Sequence, residues 1–173
     1  MMMERRTLKL TRFAILTSLA LALSLAEAML IPDGWFPIPG LRLGLANIVT
    51  LLVVLMYGAG PAFVVLVVRS LIVFVFSGNV TAFLLALCGG AAAILGMYVA
   101  SRLRFFSIFS VSVAGAAAHH VGQIVAAAFL TGTLSVISYL PLLLAASLPT
   151  GTVIALLCIP VYKALTRRRP SDT

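Results

Sequence analysis

Two charged side chains, Glu27 and Arg69, stand alone inside long apolar stretches of the sequence, whereas almost every other charge flanks such a stretch. An ionisable group at membrane depth is costly to bury, so it commonly marks a binding site or an ion path. The alternative is a structural ion pair, although desolvation can exceed the Coulombic gain of such a pair. The two residues are therefore the first candidates for a binding site.

Three neutral polar side chains, Asn47, His119 and Gln123, lie in other apolar stretches. His119 and Gln123 are four residues apart and share one helical face, whereas His120 points about 100° away. Counting inward along each predicted helix puts these three, with the two charges, in the outer half of the membrane. Rotation about each helix axis leaves open whether they meet. For His119 the alternative is a hydrogen bond that holds helices together.

The sequence lacks the residues of several common reactions. It has no G-x-x-x-x-G-K-[ST] phosphate loop, and its only aspartates, Asp33 and Asp172, lie in a loop and in the tail. Nucleotide hydrolysis of the P-loop type and diphosphate chemistry on carboxylate-held magnesium are therefore not expected. The adjacent histidines diverge on a helix, and no carboxylate has ligand spacing to them. We predict no catalytic residue, no metal site, no cofactor and no enzyme.

Composition identifies the class of protein. Of 173 residues, 62% are hydrophobic and only 9% are charged, which indicates a single-domain integral membrane protein, residues 1–173. The net charge of +8 comes from basic residues that flank apolar stretches. Positive-inside topology explains this pattern, so nucleic acid is not a predicted partner.

Six apolar stretches predict an all-α bundle of six transmembrane helices in lipid, at about 11–31, 43–57, 61–76, 80–101, 107–131 and 136–162. The first is long enough to span, so we interpret it as an uncleaved helix rather than a signal peptide. With both termini cytoplasmic, every lysine and arginine except Arg42 and Arg69 falls on the cytoplasmic side or in the flanking tails. The predicted location is the plasma membrane.

Proline and glycine predict two irregular segments. Residues 32–40 contain three prolines and two glycines and form the longest predicted external loop. Within it, Trp35 is either an interfacial anchor or part of an aromatic lid over an external pocket. In the last helix, residues 149–152 (Pro-Thr-Gly-Thr) predict a local break with carbonyl groups that line a cavity.

Small side chains recur every four residues on the first helix, at Ala14, Ser18, Ala22 and Ala26. Stripes of this kind allow two helix backbones to approach closely in lipid. The partner is either another helix of the same chain or a separate protein. Composition alone leaves the two equal.

The segment PGLRLGLANIVT, residues 39–50, resembles the signature of the Gx transporter family, whose members are often labelled heptaprenyl diphosphate synthase component I. Further matching pieces are at 69–71, 77–79, 88–90, 112–119 and 122–123, so the resemblance extends from about residue 13 to 162. The chain departs from the family pattern at Arg42, where lysine is more usual, and at His120, where asparagine is expected.

This family is similar to the substrate-binding S components of energy-coupling factor (ECF) transporters, which are six-helix proteins. The resemblance implies capture of a vitamin or related small molecule from outside, followed by docking on a transmembrane coupling subunit driven by two ATPases. In S components an A-x-x-x-A pattern on the first helix forms much of the docking surface. The resemblance therefore favours partner contact for Ala22 and Ala26.

We accordingly predict an S component of an ECF-type importer for a vitamin- or cofactor-like molecule, of which flavin-, quinone- and prenyl-related compounds are examples. The predicted substrate-binding residues are Glu27, Trp35, Arg42, Asn47, Arg69, Asn79, His119 and Gln123. One alternative is a non-catalytic membrane subunit that recruits a soluble prenyl synthase. Another is a self-sufficient proton-coupled carrier, although six spans without an internal repeat disfavour it.

Overall fold

The computed structural model describes residues 2–30, 42 and 44–167, and the regular elements within those ranges are all helical. They are α1 (Met2–Leu30), α2 (Asn47–Tyr57), α3 (Ala59–Ser77), α4 (Val80–Arg102), α5 (Ile108–Thr131), a short 3₁₀ helix (Leu134–Tyr139) and α6 (Leu140–Arg167).

Four segments are long and apolar enough to cross a membrane: Ala59–Ser77, Val80–Arg102, Ile108–Thr131 and Leu134–Thr166. Large apolar side chains such as Phe129 also face outward from the bundle. Apolar helices that satisfy their own backbone hydrogen bonds are suited to lipid. The chain is therefore a multi-pass membrane protein. A crossing by α1, a crossing by the shorter α2, and the orientation of the termini stay predictions.

The structure moves several predicted helix boundaries. Helix α6 extends from Leu140 to Arg167 rather than from 136 to 162, because a short 3₁₀ helix precedes it. Helix α1 begins at Met2 rather than near residue 11, because the preceding residues contain no glycine or proline and continue the helix. Helix α2 begins at Asn47, later than predicted, because a turn precedes it. In this turn Gly44 has a φ of +85° and its carbonyl accepts a hydrogen bond from the Asn47 N–H at 2.8 Å.

The predicted break at Pro149–Thr152 is wrong, since α6 is continuous through it. Hydroxyl groups near the proline donate back to helix carbonyls. Thr150 donates to Ala146 and Thr152 to Leu148, each at 2.8 Å. Such bonds help a transmembrane helix to tolerate proline.

Helices α4 and α5 approach closely through small residues. A Cβ atom added at Gly96 would lie 2.8 Å from that of Ala118, and one added at Gly122 would lie 2.6 Å from the Cys88 carbonyl oxygen. Packing of this kind is typical of helix pairs in lipid. It holds the polar face of α5 directly against α4.

Candidate binding site at one end of the bundle

A cavity of about 30 Å³ lies at one end of the bundle. It is lined by the last turns of α1, the segment before α2, the second half of α3, the first half of α4 and the second half of α5. Five of the predicted binding residues share this lining: Glu27, Arg42, Arg69, His119 and Gln123. These side chains were predicted to lie at a similar depth, and the fold places them around one cavity. Their role in binding stays a prediction.

The carboxylate of Glu27 binds the backbone that leads into α2. It is 2% exposed, and its two oxygens accept hydrogen bonds from the N–H groups of Gly44 at 2.7 Å and Leu45 at 2.9 Å. Charge-assisted bonds of this kind are stronger than neutral ones. Glu27 therefore fixes the turn at Gly44 against α1.

Arg69 is 7% exposed, and its Nη1 donates to the hydroxyl of Ser24 at 2.8 Å. Its Nε has no hydrogen-bond partner. An ion pair of Glu27 with Arg69, the structural alternative given above and a means for Glu27 to orient Arg69, does not form, since the carboxylate binds backbone amides and the guanidinium binds Ser24. Arg42 approaches the same turn of α1, with Nη1 3.4 Å from the Ser24 carbonyl oxygen. Ser24 thus contacts both arginines.

Several buried polar atoms around the cavity have no hydrogen-bond partner. They include Oγ of Ser70 and both side-chain amide atoms of Asn47. Both ring nitrogens of His119 and Oε1 of Gln123 also lack a hydrogen bond of good geometry, although the backbones of Gly89 and Arg42 lie near His119 and the side chain of His120 lies near Gln123. Buried polar groups in folded proteins are nearly always hydrogen-bonded. A group of them next to one cavity marks hydrogen-bonding capacity that the described protein groups leave unused.

Two glycines make room for the α5 side chains. A Cβ atom at Gly44 would lie 2.7 Å from Nδ2 of Asn47 and 3.1 Å from Nε2 of His119. One at Gly89 would lie 2.6 Å from Cγ of Gln123. His119 is thus held between two glycine positions, one before α2 and one on α4. Asn47 is beside this group and is fully buried, although it does not line the cavity.

His120 is also fully buried, with its ring centroid 5.7 Å from that of His119. It is absent from the cavity wall, in keeping with its different direction on the helix. Within the part of the chain that the structure describes, no three His, Cys, Asp or Glu side chains group as metal ligands.

The apolar part of the cavity lining comes from α3 and α4. Its aromatic members, Phe74 and Phe83, are in contact, with ring centroids 5.1 Å apart. The cavity has room for about two water molecules. Pockets for drug-sized ligands measure about 300–1,000 Å³, so such a ligand enters only when a wall moves.

Two other predicted site residues lie apart from the cavity or outside the description. Asn79 caps α4, where its Oδ1 accepts a hydrogen bond from the Ala82 N–H at 2.9 Å, and it does not line the cavity. Trp35 lies outside the described residues, so neither its role as an anchor nor its role as a lid is tested.

The two faces of α1 differ in exposure. The stripe residues Ala14, Ser18 and Ala22 are exposed, and Ala26 is partly buried. The neighbouring Ala20 and Ser24 are 1% and 4% exposed and face the bundle. The stripe therefore does not serve as the main internal packing face of α1.

Sequence reasoning missed several lining residues, among them Ser24, Gly44, Ser70, Phe74 and Phe83. Ser24 had a usable signal, because it precedes Glu27 by three residues and shares its helical face. Phenylalanines in an apolar stretch carry no comparable signal.

Comparison with known proteins places these features in a family context. The family model of heptaprenyl diphosphate synthase component I matches residues 16–159. A solved structure of the S component of a bacterial ECF transporter is similar, with a TM-score of 0.58 and 19% identity, over 94% of this chain and 95% of that one. At that identity the likeness shows the fold. No curated protein matches the chain significantly.

Proposed function

The chain belongs to the heptaprenyl diphosphate synthase component I family, and from its fold and polar cavity we propose that it is the substrate-binding membrane subunit of an ECF-type importer. The cavity is the binding site, in the outer half of the plasma membrane. The substrate is a vitamin- or cofactor-like molecule, and flavin-, quinone- and prenyl-related compounds are the first classes to test.

The observation that carries this proposal is the group of unpartnered polar atoms around the cavity. Each buried polar group without a partner costs about 1–3 kcal/mol. A bundle that served only as a scaffold would gain nothing from several such groups in one place. A ligand that supplies hydrogen bonds to Arg69, His119 and Gln123 would recover this energy on binding.

The exposed stripe on α1 supports docking on a partner. Ala14, Ser18 and Ala22 leave a surface without bulk, whereas neighbouring outward positions such as Ile15 and Leu19 carry large side chains. Small residues allow close helix packing in lipid. The proposed partner is a transmembrane coupling subunit driven by two ATPases.

The chain is a membrane component and not an enzyme, in keeping with a similar fold found in a transporter component and with a family named for a component of a synthase. That family name favours a second candidate function, the recruitment of a soluble prenyl synthase to the membrane. Such a role does not require a buried polar cavity, so we rank it second.

The test begins with native mass spectrometry of the chain extracted gently into lipid nanodiscs, which reports a bound molecule by its mass. Uptake of that molecule is then followed in liposomes that contain the chain alone or the chain with a coupling module and ATP. We expect binding without ATP and transport only with the module. Uptake driven by a proton gradient alone would contradict the proposal and favour a self-sufficient proton-coupled carrier. Co-purification of a prenyl synthase without any bound molecule would favour the second candidate function.

A further inference from the structure

We propose that the cavity takes a molecule with one anionic oxygen group, a carboxylate or a phosphoryl group, on an aromatic or other apolar body. The anionic group binds the Nε–Nη2 edge of Arg69. This inference rests on the proposed function and names the chemical class of its substrate.

Arg69 lines the cavity and has unused hydrogen-bonding capacity on one edge. Its Nη1 is engaged by the Ser24 hydroxyl, and its Nε is buried without a partner. The guanidinium presents paired N–H donors that match a carboxylate or phosphate in a bidentate arrangement. Since Nη1 is occupied, the edge left for such a pair is that of Nε and Nη2.

The charges of the lining sum to one net positive charge. Glu27 contributes one negative charge, and Arg42 and Arg69 contribute two positive charges. The Glu27 carboxylate is directed at the amides of Gly44 and Leu45 and makes no ion pair with Arg69. A buried charge without a partner is unfavourable, and a ligand with a single negative charge removes that cost.

Neutral polar atoms extend the site next to Arg69. Oγ of Ser70, the ring nitrogens of His119 and Oε1 of Gln123 are buried and unpartnered, and all three residues line the cavity. The hydroxyl of Ser70 and the protonated ring nitrogen of a neutral His119 can donate to a ligand oxygen, whereas Gln123 Oε1 accepts from a ligand donor. Phe74 and Phe83, which also line the cavity, provide a surface for an apolar ring or chain. The ligand is therefore anionic at one end and apolar at the other.

The experiment compares four probes that share a phenylbutyl body: phenylbutyrate, phenylbutyl phosphate, phenylbutanol and phenylbutylamine. Their binding to the full chain in nanodiscs is measured by calorimetry. We expect at least one anion to bind about tenfold more tightly than the alcohol and the amine, as a charge-assisted bidentate contact predicts. The two anions show whether the site prefers a carboxylate or a phosphoryl group.

Three variants test the assignment to Arg69. Arg69→Gln should abolish the preference for anions, and Arg69→Lys, which keeps the charge without the bidentate edge, should retain part of it. Arg104→Gln removes an exposed cation that does not line the cavity and should leave the preference intact. The Lys variant keeps the test valid if the Gln variant does not fold.

The inference is overturned if the alcohol binds as tightly as both anions, if the preference survives in Arg69→Gln, or if none of the probes binds. The uptake experiment does not depend on any of these results, because it tests the proposed function with the molecule found by mass spectrometry. The two proposals can therefore fail separately.

Discussion

Replacement of Glu27 by glutamine tests whether this carboxylate organises the backbone or contacts the ligand. In the structure it accepts two N–H bonds, from Gly44 and Leu45. Glutamine is nearly isosteric but offers one acceptor oxygen, and its NH₂ group faces a backbone donor. The variant therefore loses about one hydrogen bond to a charged group, a contribution of about 1.5–3 kcal/mol.

A loss of about 2 kcal/mol corresponds to amide exchange about thirtyfold faster at the affected positions, if they exchange through local opening. Hydrogen–deuterium exchange of the peptide that contains Gly44 and Leu45 measures this effect in the ligand-free protein. The midpoint temperature of thermal unfolding should also be lower in Glu27→Gln. Glu4→Gln, the change at the only other glutamate, is the control and should alter neither.

The reasoning is refuted if exchange and thermal stability of Glu27→Gln match the wild type while ligand affinity falls sharply. That combination would mean that Glu27 contacts the ligand directly. Lower stability together with a modest loss of affinity supports the backbone role.

Two further substitutions test the other surfaces. Ala22→Leu should prevent binding of the proposed coupling subunit in a pull-down, because it blocks close helix approach, and should leave ligand binding unchanged. Val75→Leu, at another exposed position, is the control and should affect neither measurement. Loss of ligand binding in Ala22→Leu would contradict an outward role for the stripe. Gly89→Ala should weaken binding in calorimetry and lower stability by about 1–3 kcal/mol, because its Cβ would lie 2.6 Å from Cγ of Gln123. Gly60→Ala, where nothing lies within 4 Å, is its control, and equal affinity in both variants would refute this placement of Gln123.

The sequence predicted the helices well because hydropathy dominates a chain of this composition. The two missed features both depend on where hydrogen bonds go. Glu27 was paired with Arg69 by charge, but the amides made available by the positive-φ turn at Gly44 take the carboxylate. The expected break in α6 is absent, since the helix continues through Pro149, and the hydroxyl of Thr150 bonds to a carbonyl of the preceding turn.

Some polar members of the candidate site were predictable, but its apolar lining and its geometry were not. Depth along each helix selected Arg69, His119 and Gln123, which do line one cavity. The rotation of each helix is set by packing, as where Gly89 admits the Gln123 side chain, and a single sequence does not specify such contacts. Asn79 shows the converse, since its side chain caps a helix and lies off the cavity.

The Ser24 turn of α1 has a consequence for energetics. Ser24 contacts Arg69 on the inward face of the helix, and Ala22 is exposed two residues away. A partner that binds the outward face and tilts α1 displaces Ser24, and with it the orientation of the guanidinium. Linkage makes such an effect reciprocal: by whatever factor docking weakens the hold on the ligand, the bound ligand weakens docking by the same factor. If the proposed coupling partner exists, an occupied subunit would need energy from it for release, and an emptied one would separate from it more slowly.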